Sequence, residues 1–382
     1  MKKALGWAVI LLLLYACGPR AQKVEKTIKN GVEVVINRLD ELYKIKGEKA
    51  TLELKKEFSI DFSSEDIGRL GLADIYNFNV DSRGNIYVLN ARPVEYFIFA
   101  FDGKGHFLKR FGKKGQGPGE LQWTLSIAFD SQGNVIVTDS DIRKNVLFDP
   151  EGNLIRETAF PKDAYALYPL DNNKDIVHWR KYTTPEADHF NDHFGLSGPG
   201  LEEVRVLDLC RWPNPAKHGI RGNRLNRVFN WKASGDRLYV GNEDRGYEFL
   251  VFDWDGNLLR KIRKDHTPVE VRMSEEAKKK IVAERPGLKV VFPKYWPPFG
   301  SFFVDEENRL YVQTYETGDS GPEYTYDIFN EEGIFILRKS LPIKSAVDIE
   351  GDAVVKNGRL YCLEEKELGY KALVVYRMIW SK

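Results

Sequence analysis

A short pattern, Asp-x-x-Gly-Asn followed by alternating apolar residues, recurs along this chain and constrains its fold more than any other feature. It reads Asp81-Ser-Arg-Gly84-Asn85-Ile-Tyr87-Val88, and again Asp130-Ser-Gln-Gly133-Asn134-Val-Ile136-Val137. Looser copies are Asp171-Asn-Asn-Lys-Asp-Ile-Val177, Gly235-Asp-Arg-Leu-Tyr239-Val240, Asp305-Glu-Glu-Asn-Arg-Leu-Tyr311-Val312 and Asn357-Gly358-Arg-Leu-Tyr361, which brings the copies to six. Asp, Asn and Gly tolerate left-handed backbone angles and so favour tight turns. The alternation after each turn marks a half-buried strand. A second element follows most copies, a Phe, an Asp or Asn, then a Gly turn, at Phe101-Asp102-Gly103, Phe148-Asp149, Phe252-Asp253 and Phe329-Asn330. Two hairpins per unit make a four-stranded antiparallel sheet. Six such sheets set radially make a propeller, which protects its strand edges by repetition.

Composition agrees. The 382 residues are 42% hydrophobic and 13% aromatic, enough to bury a core, and aromatic and β-branched residues suit pleated sheet. The expected class is all-β. Basic residues number 57 and acidic ones 56, a balance that points away from nucleic acid.

The segment Phe111-Gly112 through Gly115-Gln-Gly117-Pro118-Gly119-Glu120-Leu121, then Ile127-Ala128-Phe129-Asp130 and Gly133-Asn134 to Asp139, resembles an NHL repeat. The region from Thr51 to Lys382 is similar to bacterial six-bladed propeller lipoproteins, closely in the first two blades and more loosely in the last four. The resemblance implies the fold and says little about chemistry. The last repeat offers strands near 346–355, 359–363 and 372–378 before the chain ends. Its fourth strand is expected to be the alternating segment Thr51 to Ile60, which would close the ring. Asn30-Gly31 between short alternating runs predicts a hairpin within 18–50, ahead of the ring.

The first 17 residues read as a signal. Met1-Lys2-Lys3 is positive, and Ala4 to Leu14 is an apolar run too short to span a bilayer. Leu14-Tyr15-Ala16-Cys17 resembles a bacterial lipobox, which implies cleavage, a lipid on Cys17 and export. Gly18 after the Cys implies, by the same resemblance, the outer membrane, facing periplasm or cell surface. Cys210 and Cys362 each sit in an apolar strand pattern and are expected to be buried free thiols.

In such a ring the Asp-x-x-Gly-Asn and Phe-Asp turns share one face. The other face carries the loops between second and third strands and the links between blades. Three long segments are expected there: Trp179 to Glu203 in the third blade, Arg211 to Arg227 before the fourth, and Lys264 to Pro298 before the fifth. The last predicts a helix near 274–285, with Ser274 as cap, Glu275 and Glu276 in its first turn and Pro286-Gly287 as its stop. Long loops on a rigid scaffold carry binding, or serve as covers for exposed edges.

Trp, Tyr and Arg dominate binding hot spots. The insertions hold Trp179, Arg180, Tyr182, Trp212, Arg221, Tyr295 and Trp296, and Arg92, Arg143 and Arg245 occupy the matching loop of the first, second and fourth blades. These are the candidate ligand-binding residues. His189 and His193, four apart beside Asp188 and Asp192, would share a helix face as a metal pair requires. They also read as plain loop histidines. There is no Gly-x-Ser-x-Gly elbow, and Gly115-Gln-Gly117-Pro-Gly119 lacks the Lys and Ser or Thr of a phosphate loop. Two readings stand: an envelope lipoprotein without catalysis or cofactor that binds a protein, peptide or glycan on its loop-rich face, and a divalent-metal lyase, lactonase or hydrolase at the channel mouth.

Overall fold

The computed structural model describes residues 24–38, 42, 43, 45, 47–72, 74–170, 174–182, 187–198, 204–221, 228–317, 324–343, 353–366 and 371–382. Six antiparallel sheets stand around a central axis. The first blade is Ile75–Val80, Ile86–Asn90, Tyr96–Phe101 and Phe107–Lys113; the second is Thr124–Phe129, Val135–Asp139, Lys144–Phe148 and Leu154–Ala159. The third is Ala164–Pro169, Asp175–Tyr182, His189–Ser197 and Val204–Pro213; the fourth is Phe229–Ser234, Arg237–Asn242, Glu248–Asp253 and Leu258–Lys264. The fifth is Phe302–Val304, Leu310–Thr317, Tyr324–Phe329 and Phe335–Leu341. The sixth takes Ala353–Lys356, Arg359–Glu365 and Lys371–Ser381 from the end of the chain and Thr51–Asp61 from near its start. That closing strand is the one expected from the sequence. It runs antiparallel to the last strand, from Ala372 opposite Asp61 to Ser381 opposite Thr51.

The repeat forms the turns it predicts, for an identifiable reason. Asp81 Oδ1 accepts from the backbone N–H of Arg83 and Asn85 at 2.9 and 2.8 Å, and its Oδ2 accepts from Asn85 Nδ2 at 2.9 Å. Gly84 sits at φ 86°, where a side chain is strained. Asp130 with Asn134, Asp149 with Asn153, and Asp253 with Asn257 repeat the same bonds. Both turn classes of the repeat therefore share one chemistry, and both lie at one end of the ring.

Apolar side chains fill the gaps between successive blades. Phe78, Val88 and Phe99 of the first blade meet Tyr361, Leu373 and Val375 of the sixth, and Tyr239, Phe249 and Ile262 of the fourth meet Phe302, Leu310 and Phe329 of the fifth. Cys210 and Cys362 are buried free thiols.

The seam between second and third blades is more polar. Thr138 Oγ1 and Asn145 Nδ2 both donate to the Leu167 carbonyl, at 3.1 and 3.0 Å. Asp175 stands at the start of the third blade's second strand, and burial pushes its carboxyl up to about 6 despite the opposing pull of Arg156. Its folded-state value lies above its unfolded one, so the buried charge destabilises the fold above pH 6 and is neutralised in both states below pH 4. Asp175→Asn is expected to stabilise the protein at pH 7.5 by up to about 3 kcal/mol, and to have little effect at pH 4. Urea unfolding at the two pH values checks this, and equal shifts at both would refute the burial argument.

The expected N-terminal hairpin is present, and the structure supplies its place. Glu25–Lys29 pairs with Val32–Asn37 through Asn30 and Gly31, at φ 52° and 80°, the paired left-handed angles of a tight hairpin turn. Val32–Asn37 then pairs in parallel with Leu258–Lys264, so the fourth sheet has six strands. The chain continues along the fifth blade. Phe335 N donates to Asn37 Oδ1 at 2.9 Å, Tyr43 N to the Phe335 carbonyl at 3.1 Å, and Asn330 Nδ2 to Glu48 Oε2 at 2.9 Å. One N-terminal segment thus braces the outer side of the fourth, fifth and sixth blades.

Candidate functional site

The third blade supplies the centre of the loop-rich face. The segment expected as one long loop, Trp179 to Glu203, is instead largely sheet. Tyr182 pairs with Phe190, and His189 with Pro213, so the blade extends toward that face as a long hairpin. A sequence of alternating polar and aromatic residues suits either form, and here the strand pairing prevails.

This changes what Trp179 and Arg180 can do together. Neighbours on a strand point to opposite faces of the sheet. Toward the fourth blade, Arg180 Nε and Nη2 bond Asp192 Oδ1 and Oδ2 at 2.7 and 2.9 Å. Its guanidinium lies 4.1 Å over the Phe190 ring, and Phe190 stacks on Trp212 at 6.1 Å and 8°. His178 sits behind, its Nε2 hydrogen-bonded to the Tyr165 hydroxyl and its ring 4.3 Å from Phe194. Burial pushes His178 well below its usual range, with Arg180 and His193 adding to the effect, so it is neutral at pH 7. On the other face, Trp179 stacks on His193 at 5.0 Å and 9°. Burial lowers His193 as well, helped by Lys181.

Arg245 links blades. Its Nη1 bonds Asp208 Oδ1 of the third blade at 2.5 Å, and its Nε lies 3.4 Å from Glu248. Asn242 Nδ2 donates to the same aspartate at 3.1 Å.

The second and third insertions meet. Asn214 caps a short helix, Pro215–His218, by accepting from Ala216 N at 3.0 Å. Ile220–Arg221 then pairs in parallel with Val290–Val291 of the third insertion, and Ile220 N donates to the Lys289 carbonyl at 2.8 Å. Gly219 permits this approach, since a Cβ there would lie 2.4 Å from that carbonyl oxygen. The expected helix forms as Glu275–Ala283, with Ser274 Oγ accepting from Ala277 N at 3.1 Å. Trp296 stacks on Tyr315 of the fifth blade at 4.5 Å and 13°. Tyr295 is exposed, with the Lys294 ammonium 5.0 Å over its ring. Along the same insertion, Val282, Leu288, Val291 and Tyr295 keep 45%, 53%, 38% and 45% of their surface in solvent. The side chains of Tyr182 and Arg221 lie outside the described residues, although the backbone of both is placed.

Arg92 and Arg143 stand apart, on the first and second blades. Arg143 Nη2 donates to the carbonyls of Pro161 and Lys162 at 2.9 Å each, which clamps the link into the third blade. Arg92 lies 4.0 Å from Asp74 and lines a cavity of about 280 Å³ with Tyr76, Gln122 and Trp123. Trp123 is half exposed and edge-on to Tyr76 at 6.3 Å. Sequence reasoning missed it because it ends an inter-blade link, where an aromatic ring most often turns inward.

The two histidines are not a helical pair. They lie on the extended strand His189–Ser197, where four residues span about 13 Å. His189 instead faces His218 at 5.5 Å between rings, and His218 Nε2 lies 3.8 Å from Asp188. Among the described residues no group of three His, Cys, Asp or Glu is gathered in a way that could hold a metal ion.

The fold therefore defines the chain as a six-bladed β-propeller. Residues 69–194 match the model of a family described as 6-bladed beta-propeller (DUF5128). A Bacteroides fragilis NCTC 9343 protein taken to be exported superposes with a TM-score of 0.53 at 10% identity, covering 91% of this chain and 100% of its own. A duf4221-family member from Bacteroides vulgatus ATCC 8482 gives 0.53 at 15% identity, covering 87% and 100%. No curated protein matches the sequence. No helix among the described residues is long and apolar enough to cross a membrane, and Cys17 with the rest of 1–23 lies outside them.

Proposed function

We propose that this propeller is a non-catalytic binding module, exported and held at the outer membrane by a lipid on Cys17, which captures a protein or peptide on the loop-rich face of its third to fifth blades. The observation that carries the reading is the strand pairing of Ile220–Arg221 with Val290–Val291. It joins two separate inter-blade links into one built surface, which independent edge covers would not require. The solvent-facing Val282, Leu288, Val291 and Tyr295 of the third insertion favour a polypeptide partner over a glycan.

The test is capture by the full chain from envelope extracts of its own host, in detergent. The comparison is a variant with 272–294 replaced by a short Gly-Ser turn and a second with Tyr295→Ala and Leu288→Ala. A discrete polypeptide should be retained by the wild type and weakened at least tenfold in both variants, with melting temperature held. Retention of the same partner by both variants at wild-type level would overturn the proposal, as would capture of glycan alone.

A further inference from the structure

We infer that the loop-rich face is the membrane-facing side of this protein, and that the polypeptide it captures is itself embedded in that membrane. The inference deepens the reading above and rests on it, both for the lipid on Cys17 and for capture on that face.

The register of the N-terminal hairpin shows where the chain enters the fold. Leu258–Lys264 follows the short turn between Asp253 and Asn257, so it runs from the short-turn face to the loop-rich face and ends where the third insertion begins. Val32–Asn37 runs parallel to it, with Asn37 opposite Lys264. Glu25–Lys29 runs the other way, with Glu25 opposite Ile36. The chain therefore enters at the loop-rich end of the fourth blade. Asp265 N donates to the Asn37 carbonyl at 2.9 Å, and the Arg38 guanidinium joins Glu25 to Asp265. Val24 packs on the apolar cluster between fourth and fifth blades, which fixes the entry point.

Seven peptide steps separate Cys17 from Val24. Fully extended, such a stretch reaches about 25 Å. A lipid on Cys17 thus holds this rim, with the root of the third insertion at Asp265, within about 25 Å of the bilayer surface. The opposite face is farther by the length of a strand. On the fourth blade Arg237–Asn242 spans about 20 Å between Asp236, in a short turn, and Glu243 on the loop-rich side.

Charge draws the same face toward anionic headgroups. From Ala277 to Trp296 the third insertion carries six basic residues and one acidic residue, Glu284. Lys278 pairs with Glu275 at 2.7 Å. Lys279, Lys280, Lys289 and Lys294 are exposed, and none forms an ion pair among the described residues. Their attraction to a leaflet fades within a Debye length, so it acts once the tether has brought them close. Exposed Val282, Leu288, Val291 and Tyr295 of the same insertion suit the headgroup level, where Lys, Tyr and aliphatic side chains gather. A partner embedded in the same bilayer shares that layer, and the tether raises its effective concentration. A freely diffusing partner gains nothing from it.

The experiment places the full lipidated chain in vesicles of phosphatidylethanolamine and phosphatidylglycerol. A donor dye sits on Tyr295→Cys or on Asp236→Cys, and the acceptor on the lipid headgroups. Cys210 and Cys362 are buried and escape labelling. Energy transfer from position 295 should exceed that from 236 at least threefold, and a long Gly-Ser insert before Val24 should erase most of the difference. Equal transfer from both, or more from 236, would overturn the inference and leave the capture reading standing. A mature chain with no lipid on Cys17, read by mass spectrometry, would overturn the lipid reading and this inference together. In the host, the polypeptide cross-linked to benzoylphenylalanine at position 295 should stay with the membranes through an alkaline carbonate wash. Export behind a signal that adds no lipid should lower that adduct at least tenfold. A cross-linked partner released by the wash overturns the inference alone. No adduct at all overturns the capture reading and the partner inferred from it.

Discussion

A chain lacking Thr51–Asp61 is expected to lose cooperative folding. That segment is the outer strand of the last blade, paired along its length with Lys371–Ser381. Leu52 and Ile60 are buried, the first in the cluster between fifth and sixth blades and the second in the cluster between sixth and first. Glu57 between them ties Arg359 and Arg377 at 2.6 and 2.9 Å. Without the strand, two inter-blade cores open and the last strand becomes a bare edge. The graded form of the test is quantitative. Leu52→Ala and Ile60→Ala should each cost about 2–4 kcal/mol, a large share of the roughly 5–15 kcal/mol that holds a typical domain. Lys55→Ala, on the exposed face of the same strand, should stay within about 0.5 kcal/mol. Urea denaturation reads all three. An Ile60→Ala change as mild as Lys55→Ala would mean that the strand does not close the ring.

The second large effect lies between fourth and fifth blades. Asp327 is fully buried. Its Oδ1 accepts from Arg338 Nε at 2.7 Å, its Oδ2 accepts from the Tyr247 hydroxyl at 2.9 Å, and the Lys264 ammonium stands 3.5 Å away. Lys264 is itself buried, 4.9 Å over the Phe335 ring and 5.6 Å over that of Tyr247. Asp327→Ala strips the ammonium of its counter-charge inside the protein and should cost about 3–5 kcal/mol. Lys264→Met should cost less, by about 1–2 kcal/mol, because Arg338 still neutralises the aspartate and the new side chain fills the same apolar space. Denaturant unfolding of the two variants decides the order. The reverse order would show that the lysine, not the carboxylate, holds this seam.

Much of the ring was legible because its determinants are local. A turn that needs Asp at one end, Gly at a left-handed position and Asn to close it leaves the same mark wherever it occurs, and alternation after it fixes which face is buried. The Ser274-capped helix and the Asn30-Gly31 hairpin were legible for the same reason. What the sequence could not show depends on side-chain direction and on distant pairing. Trp179 and Arg180 are adjacent in sequence, yet they face different neighbouring blades, because the segment is strand rather than loop. His189 and His193 would share a helix face but are spread along a strand. Arg143 looked like a free binding group and is spent on two backbone carbonyls. The pairing of Ile220–Arg221 with Val290–Val291 joins positions far apart in the chain with no repeat to announce it. The placement of the hairpin on the fourth blade, rather than beside the sixth, likewise rests on contacts such as Asn37 with Phe335.

Site-specific photocrosslinking in the native host tests the functional account most directly. Benzoylphenylalanine in place of Tyr295 samples the built surface, and in place of Phe107 it samples the exposed outer strand of the first blade. The account predicts a discrete polypeptide adduct from position 295 and none from position 107. No adduct from position 295, or the same adduct from both, would contradict it.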